Sequence, residues 1–275
     1  MAHHKPAYYQ RWNLQDRLQH GTLVISMLGL LTSGLAIKFH YTGWAQGMFR
    51  FMGGFHNNLI LHKSSASLLV VVSVWHLAYL LATWARTRSH PLTWAMMPQL
   101  SDLRDAGHHM LFLLGLRKEA PQFDRYTYLE KFEYLAIFWG MIVMGLSGFS
   151  LWFPEFFGQF VPRTFIDIFR IVHANEAVVA LISLAFGHFF TVHFSPGVFP
   201  SSPVWYNGKI SIEHLAEEHP AEYQRLVEQG KIAPLSGHHE HKLAGWRKVL
   251  AAVELVIYSA VFYYMLISFL PKLLA

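Results

Sequence analysis

Five runs of mainly apolar residues, each long enough to cross a lipid bilayer, restrict the fold of this 275-residue chain more than any other feature. They cover residues 17–39, 62–84, 132–153, 168–190 and 249–270. A helix of about 20 residues, rising about 1.5 Å per residue, spans the hydrocarbon core of a bilayer. Because the bilayer interior cannot hydrogen-bond to free backbone groups, such runs fold as helices. We therefore predict an all-α integral membrane protein: a four-helix transmembrane bundle with a fifth, C-terminal transmembrane helix.

The composition supports a membrane location and excludes several kinds of chemistry. Hydrophobic residues make up 53% of the chain and charged residues 14%, which is too apolar for an ordinary soluble domain. The chain has no cysteine, which excludes disulfides, thiolate-bound iron–sulfur clusters and covalently attached c-type haem. A redox cofactor would therefore be held by histidine or methionine, or non-covalently. The basic residues flank the apolar runs and form no nucleic-acid motif, so we expect no nucleic-acid partner.

Lysine and arginine are distributed unevenly between the two sides of the predicted bundle. Most lie before the first run, between the second and third runs, and between the fourth and fifth. Since positive loops stay in the cytoplasm, we predict a cytoplasmic N-terminus and an extracytoplasmic C-terminus. The first sixteen residues are polar and show no small-residue cleavage pattern, so we expect no cleaved signal peptide. The predicted domains are a cytoplasmic segment 1–16, the four-helix bundle 17–195 with its cytoplasmic loop 86–130, a cytoplasmic segment 196–248 with a short helix at 211–229, and the fifth transmembrane helix within 249–275.

Histidines recur within these apolar runs at two depths. His62 and His76 are 14 residues apart in the second run, and His173 and His188 are 15 residues apart in the fourth. At 1.5 Å per residue these separations are about 21 and 22 Å, and both return to nearly the same helix face. With alternating helix directions, His62 and His173 share the outer level, whereas His20, His76 and His188 share the inner level. An ionisable side chain inside a membrane is costly and therefore indicates function.

Paired histidines at two depths indicate axial ligands to two stacked haems. Two histidines that face each other across a bundle make a six-coordinate haem iron, which transfers electrons and leaves no open site for oxygen. The alternative is that the histidines are packing or proton-relay residues. Haem also needs space, which Gly34, Gly145 and Gly148 supply if the macrocycle approaches their backbone; tight helix packing is the alternative role. His193 lies on a different face from His188 and is an interfacial residue, a propionate partner or a third-haem ligand.

Several stretches of the chain match a known family. They are RLQHGTLVISMLGLLTSGLAIKF, LHK at the start of the second run, RYTYLEKFEYLAIFWGMIVMGLSGFSLWF, IVHANEAVVALISLAFGHFFTVHF and YNGKISIEHLAEEHPAEYQRL. In these stretches the chain resembles the cytochrome b (gamma-like) subunits of respiratory formate dehydrogenases and nickel–iron hydrogenases, in the variant associated with multihaem cytochromes. The resemblance implies a four-helix di-haem core in the bacterial inner membrane, which passes electrons between an extracytoplasmic partner and membrane quinone.

The resemblance also implies ligands and partners. His62 and His173 would hold the outer b-type haem, and His20 and His188 the inner one. His76 departs from the family pattern and leaves two alternatives open: an inner pair of His76 with His188, or a third haem. The fifth run is a second departure, and the HANEA stretch of the fourth run is a third. The implied partner is accordingly an iron–sulfur subunit or a multihaem c-type cytochrome subunit.

The start of the third run corresponds to a region that helps form the quinone pocket in the resembling family. Its candidate residues are Thr127, Tyr128, Glu130 and Lys131, which would donate, accept or relay the protons of quinone chemistry. An ordinary span boundary with charged anchors explains them equally well. The resulting prediction is a quinone-reactive electron-transfer subunit. Its two rivals are a haem-free metal or proton transporter that uses the histidines and Glu176, and a haem-containing membrane anchor for a redox complex.

Overall fold

Four long helices dominate the computed structural model, which describes residues 8–87, 95–194, 198–199, 201–235 and scattered helical positions between 249 and 263. In chain order the elements are β1 (Tyr8–Gln10), α1 (Leu14–Lys38), α2 (Gly43–Phe51), α3 (Phe55–Thr87), α4 (Leu100–Leu113), α5 (Tyr128–Trp152), α6 (Pro154–Phe157), α7 (Arg163–Ile182), a π-helix (Ser183–His188), α8 (Phe189–His193), α9 (Val204–Asn207), β2 (Lys209–Ser211), α10 (Ile212–Glu218) and α11 (Pro220–Glu228).

The described residues contain four helices that are long and apolar enough to cross a membrane: α1, α3, α5 and the continuous helix from α7 to α8. They confirm the predicted all-α class and the first four spans. Most of the predicted fifth span, 249–270, lies outside the described residues. Below, the end of the bundle at which α1 begins is called the near end, and the other the far end.

Both α1 and α5 begin in polar residues that the hydropathy pattern places outside the spans. The Asn13 side chain accepts the amide hydrogen of Asp16, and the Asp16 carboxylate accepts that of Asn13. Thr127 and Glu130 form the same reciprocal capping box at the start of α5. Each box satisfies backbone N–H groups that a helix start leaves unpaired. The helices therefore begin at residues 14 and 128 rather than at the predicted 17 and 132.

Small polar residues allow the long helices to approach closely. Helix α1 packs on α3, α5 packs on α7, and α1 also contacts α7. Ser26, Ser33, Ser147 and Ser150 are almost completely buried, and their hydroxyls donate to carbonyls three or four residues earlier in the same helix. Small side chains favour close helix packing in lipid, where apolar surface alone provides no driving force. The packing places the histidine-bearing helices α3 and α7 against α1.

The described part of the predicted segment 196–248 folds against the N-terminal strand. β1 and β2 pair antiparallel, with Tyr9 opposite Ile210. Ile210 also belongs to a small hydrophobic core that joins Val204, Leu215 and Leu226. A two-stranded ribbon is marginal by itself, so this core and the short helices stabilise it. The near end of the bundle therefore carries a small folded unit built from the strand before α1 and the segment after α8.

The single helix predicted over residues 211–229 is wrong, because the structure has two helices there. Ser211 caps α10 at the start of the predicted range, but α10 ends at Glu218 and α11 begins at Pro220. Proline has no amide hydrogen, and its ring disfavours helical backbone angles in the residue before it. His219 accordingly adopts φ −132° and ψ 59°.

Buried ion pairs fasten this unit to the bundle. The Glu222 carboxylate of α11 accepts hydrogen bonds from Arg11 at 2.8 Å and from Arg125 at 2.9 Å. His219 donates from Nδ1 to the backbone oxygen of Asp124 at 2.7 Å, and its Nε2 lies 3.0 Å from Nη2 of Arg11. Burial, and then the charge of Arg11, lower the pKa of His219 to about 3. The imidazole is therefore neutral at physiological pH and joins α11 to the residues around Arg11 and Arg125.

Candidate cofactor site

At the far end of the bundle, His62 of α3 faces His173 of α7. Their ring centroids are 6.3 Å apart, with an interplanar angle of 76°. Nδ1 of His62 is hydrogen-bonded to Oγ of Ser33 at 2.9 Å, and Nδ1 of His173 to Oγ of Ser147 at 3.0 Å. Because Nδ1 of each ring is engaged, Nε2 is the nitrogen available for a metal. A hydrogen bond at the other ring nitrogen is the usual way in which a protein orients a metal-binding histidine.

The glycine that follows each of these serines makes room for the same histidine. A Cβ at Gly34 would lie 3.0 Å from Cε1 of His62, and a Cβ at Gly148 would lie 3.1 Å from Cε1 of His173. Gly145, by contrast, has open space where its Cβ would be. The sequence predicts Gly34 and Gly148 as clearance for haem, whereas the atoms nearest to them in the structure belong to the imidazole rings. A Ser-Gly pair thus both holds and accommodates each far-end ring.

At the near end, His20 of α1 faces His188 of the π-helix. Their ring centroids are 6.2 Å apart, with an interplanar angle of 59°. Nδ1 of His188 is hydrogen-bonded to a carboxylate oxygen of Glu133 at 2.8 Å, and the other oxygen accepts from the hydroxyl of Thr191 at 3.2 Å. Trp12 packs edge-on to His20, with centroids 5.2 Å apart. The two pairs therefore differ in chemistry, since serine hydroxyls hold the far-end rings and a carboxylate holds His188.

The π-helix places His188 within the continuous helix. Residues Ser183–His188 form hydrogen bonds with a wider turn than the flanking α-helices, which locally changes the direction in which side chains point. Short π segments inside α-helices occur frequently at functional sites. His173 and His188 consequently contact different partner helices, α3 and α1.

The side chains of His76 and His193 belong to neither of the two facing histidine pairs. Nδ1 of His76 lies 2.7 Å from the amide oxygen of Gln19, and Nε2 lies 3.1 Å from the hydroxyl of Tyr134. Both ring nitrogens of His76 are therefore engaged, and the ring that faces His188 is that of His20. The ring of His193 stacks on that of Phe189, with centroids 4.3 Å apart.

The four residues predicted for a quinone pocket all have local structural contacts. Thr127 and Glu130 form the capping box of α5. The hydroxyl of Tyr128 is hydrogen-bonded to Nδ1 of His109 at 3.1 Å. Lys131 is buried and pairs with Asp102 of α4 at 2.6 Å. The structure therefore brings these residues together at the start of α5, where they cap this helix and fasten α4 to it.

The geometry of the histidine pairs fits one metal between each pair of rings. An imidazole nitrogen binds a first-row metal at about 2 Å and lies about 1 Å from its ring centre, so two imidazoles on opposite sides of one metal have ring centres about 6 Å apart. The observed 6.2 and 6.3 Å agree with this separation. Within the described part of the chain, no group of three or more histidine, cysteine, aspartate or glutamate residues forms a metal site. Two facing imidazole nitrogens would fit a bis-histidine haem, whereas a structural zinc ion takes four protein ligands.

The sequence reasoning missed the residues that hold the rings: Ser33, Ser147 and Glu133. One signal for the serines was present, since a Ser-Gly pair recurs in TSGLA of the first run and LSGFS of the third. A signal for Glu133 was present as the second glutamate of EKFEY, at the start of the third run.

A family model described as prokaryotic cytochrome b561 matches residues 11–199. The matched range includes all four candidate spans and both histidine pairs, and it confirms the family resemblance seen in the sequence. It ends before β2, so the unit formed by α10 and α11 lies outside it. No curated protein matches the chain.

Proposed function

The chain belongs to the prokaryotic cytochrome b561 family, and from that membership we propose that it transfers electrons between an extracytoplasmic redox partner and the membrane quinone pool. It is a multi-pass bacterial membrane protein and a b-type cytochrome. The observation that carries the proposal is the presence of two facing histidine pairs, one near each end of the bundle.

Each histidine pair would hold one b-type haem, His62 with His173 and His20 with His188. Haem held in this way would supply reversible one-electron transfer. The hydroxyl and carboxylate partners of Nδ1 orient three of the four rings and select the tautomer that presents Nε2. His76 has both ring nitrogens engaged, so we propose two haems rather than three.

We propose that the near end faces the cytoplasm. The support is the excess of lysine and arginine in the segments that join the spans at this end. The His62–His173 pair would then lie towards the extracytoplasmic side, where an iron–sulfur or multihaem c-type cytochrome subunit would exchange electrons with it. The sequence has no cysteine with which to hold an iron–sulfur cluster, which favours a separate partner subunit.

We place quinone exchange at the near end, at the first turn of α5. Quinone reduction consumes two protons with two electrons, so its site needs groups that carry protons. The predicted residues at 127–131 lie in this turn, and Glu133, two residues after Lys131, is hydrogen-bonded to His188. The short path from this turn to the near-end histidine pair supports the placement.

Quantitative haem extraction, combined with a reduced-minus-oxidised visible spectrum, tests the ligand assignment. We expect two non-covalent b haems per chain in the purified protein. His62→Ala and His20→Ala should each remove one haem, whereas the control His76→Gln should retain both. A chain without haem would overturn the electron-transfer proposal and favour a transporter. Three haems would bring in His76 or His193 as ligands.

Quinol-driven reduction of the reconstituted protein tests the quinone site. Tyr128→Phe and Lys131→Met should slow reduction by quinol and leave reduction by dithionite unchanged. Asp102→Asn is the matched control, because it removes the ion-pair partner of Lys131 but keeps the amine. If Asp102→Asn slows the reaction as much as Lys131→Met, the lysine acts by fastening α4 rather than at the quinone. Haem without any quinol-driven reduction would favour a membrane anchor.

A further inference from the structure

Helix α4, between the second and third spans, exposes a continuous apolar stripe. Leu100, Leu103, Met110, Leu111 and Leu114 recur at the spacing of one helix face. Their exposed fractions are high, at 88% for Leu100, 73% for Leu103, 57% for Met110 and 64% for Leu114. Soluble surfaces seldom leave such a stripe uncovered. The stripe therefore needs an apolar environment beyond the described residues of the bundle.

The opposite face of α4 is fastened to the first turn of α5, which fixes the direction in which the stripe points. Asp102 pairs with Lys131 at 2.6 Å and also accepts the backbone N–H of Gln99 at 2.6 Å. Two helical turns further along α4, His109 is hydrogen-bonded to Tyr128 at 3.1 Å. These two polar contacts hold one face of α4 against α5, so the stripe on the opposite face points away from the bundle.

We propose that the stripe of α4 lies in the headgroup and upper acyl region of the lipid bilayer. The ion pair and the hydrogen bond join α4 to the residues at which the α5 span begins, so α4 lies at the level of the membrane surface. Leu129 and Phe132 of the same α5 turn are also exposed, at 41% and 68%, so the exposed apolar surface of the span extends to the turn that holds α4. An amphipathic helix at this level buries its apolar face about 5–10 Å into the bilayer boundary.

Charge and side-chain type favour lipid over a protein partner as the occupant. Arg104 of α4 and the following Arg117 and Lys118 are exposed and provide cations for lipid phosphates. Most of the stripe is leucine, which is under-represented among the residues that carry the binding energy of protein interfaces. This proposal is independent of the cofactor assignment, since none of these residues belongs to a histidine pair.

Site-directed spin labelling of the full chain tests the proposal, and the lack of native cysteine makes each label unique. Leu103→Cys and Met110→Cys place labels on the stripe, and Ser101→Cys places a control label on an exposed position of another face of α4. The protein is reconstituted in vesicles of phosphatidylethanolamine and phosphatidylglycerol. Collisions of each label with oxygen, which concentrates in lipid, and with a water-soluble nickel chelate are then measured by power saturation.

At positions 103 and 110 we expect an oxygen-to-nickel collision ratio severalfold higher than at position 101. Ratios equal to that of position 101 would place the stripe in water and overturn the proposal. Exclusion of both reagents at positions 103 and 110 would also overturn it, because the stripe would then be covered by protein. Monodisperse elution of each labelled variant confirms that the fold is intact, and the two stripe positions report independently.

Discussion

The carboxylate of Glu133 gives the near-end histidine pair an electronic environment that the far-end pair lacks. It is hydrogen-bonded to Nδ1 of His188 at 2.8 Å, whereas His62 and His173 are held by serine hydroxyls. The side chains of Glu133 and His188 are 20% and 34% exposed, so solvent screens their interaction only in part. A carboxylate partner makes a ligating imidazole more basic, which favours the oxidised form of the metal that it binds. On the ligand assignment proposed above, the near-end haem should have the lower reduction potential.

Replacing Glu133 by glutamine keeps a hydrogen-bond acceptor of nearly the same shape but removes its charge. Hydrogen bonds to charged groups contribute about 1.5–3 kcal/mol, and neutral ones about 0.5–1.5 kcal/mol. If the substitution removes about 1 kcal/mol of stabilisation, mainly from the oxidised form of the haem, the midpoint potential rises by about 40 mV. The conversion follows because about 59 mV corresponds to a tenfold change in the equilibrium constant of a one-electron couple. Glu133→Gln should therefore raise one midpoint potential by about 40 mV and leave the other unchanged.

Potentiometric titration of the purified protein, followed by visible absorbance, measures this shift. Ser147→Ala is the matched control, because it removes the hydroxyl partner of His173 and should move the other midpoint potential. If both haems are present and Glu133→Gln moves neither midpoint, or moves both equally, the role assigned to the carboxylate is refuted. A protein without haem would instead refute the proposed ligands, so the two failures are distinguishable.

Three further predictions concern the packing of the rings and the near-end unit. Gly148→Ala should lower the haem-to-protein ratio, because its Cβ would lie 3.1 Å from Cε1 of His173, while Gly145→Ala, with open space, should leave the ratio unchanged. Since the folded-state pKa of His219 is depressed to about 3 from its ordinary 6.5, the docking of residues 201–235 should weaken below pH 6.5, by up to about 1.4 kcal/mol per pH unit. Hydrogen exchange of this segment at pH 5 and pH 7.5 measures the effect, and an equal pH dependence in His219→Gln would contradict it. Glu222→Gln should destabilise the same docking by about 3–5 kcal/mol, because two buried arginines lose their counter-charge; unchanged exchange and proteolysis of residues 201–235 would contradict this expectation.

The four described spans and the two depths of histidine could be predicted because both follow from local periodicity. Apolar length predicts a span, and separations of 14 and 15 residues return a side chain to nearly the same helix face. The break at Pro220 was also readable, since proline ends a helix by a local steric effect, and here the prediction of one helix over 211–229 overlooked it. The boundaries at 14 and 128 depend on capping side chains rather than on hydropathy.

By itself, the sequence determined that the chain lies in a membrane, that it is helical, and that histidines recur at two levels of the bundle. The tertiary structure decided which rings meet, because that depends on which helices are neighbours and on how each is rotated about its axis. Three histidines share the near-end level, yet the ring of His188 faces His20, while Gln19 and Tyr134 engage His76. Serine, glycine and glutamate residues acquire their roles in the same way, since a hydroxyl or a missing Cβ matters only when packing brings a ring against it.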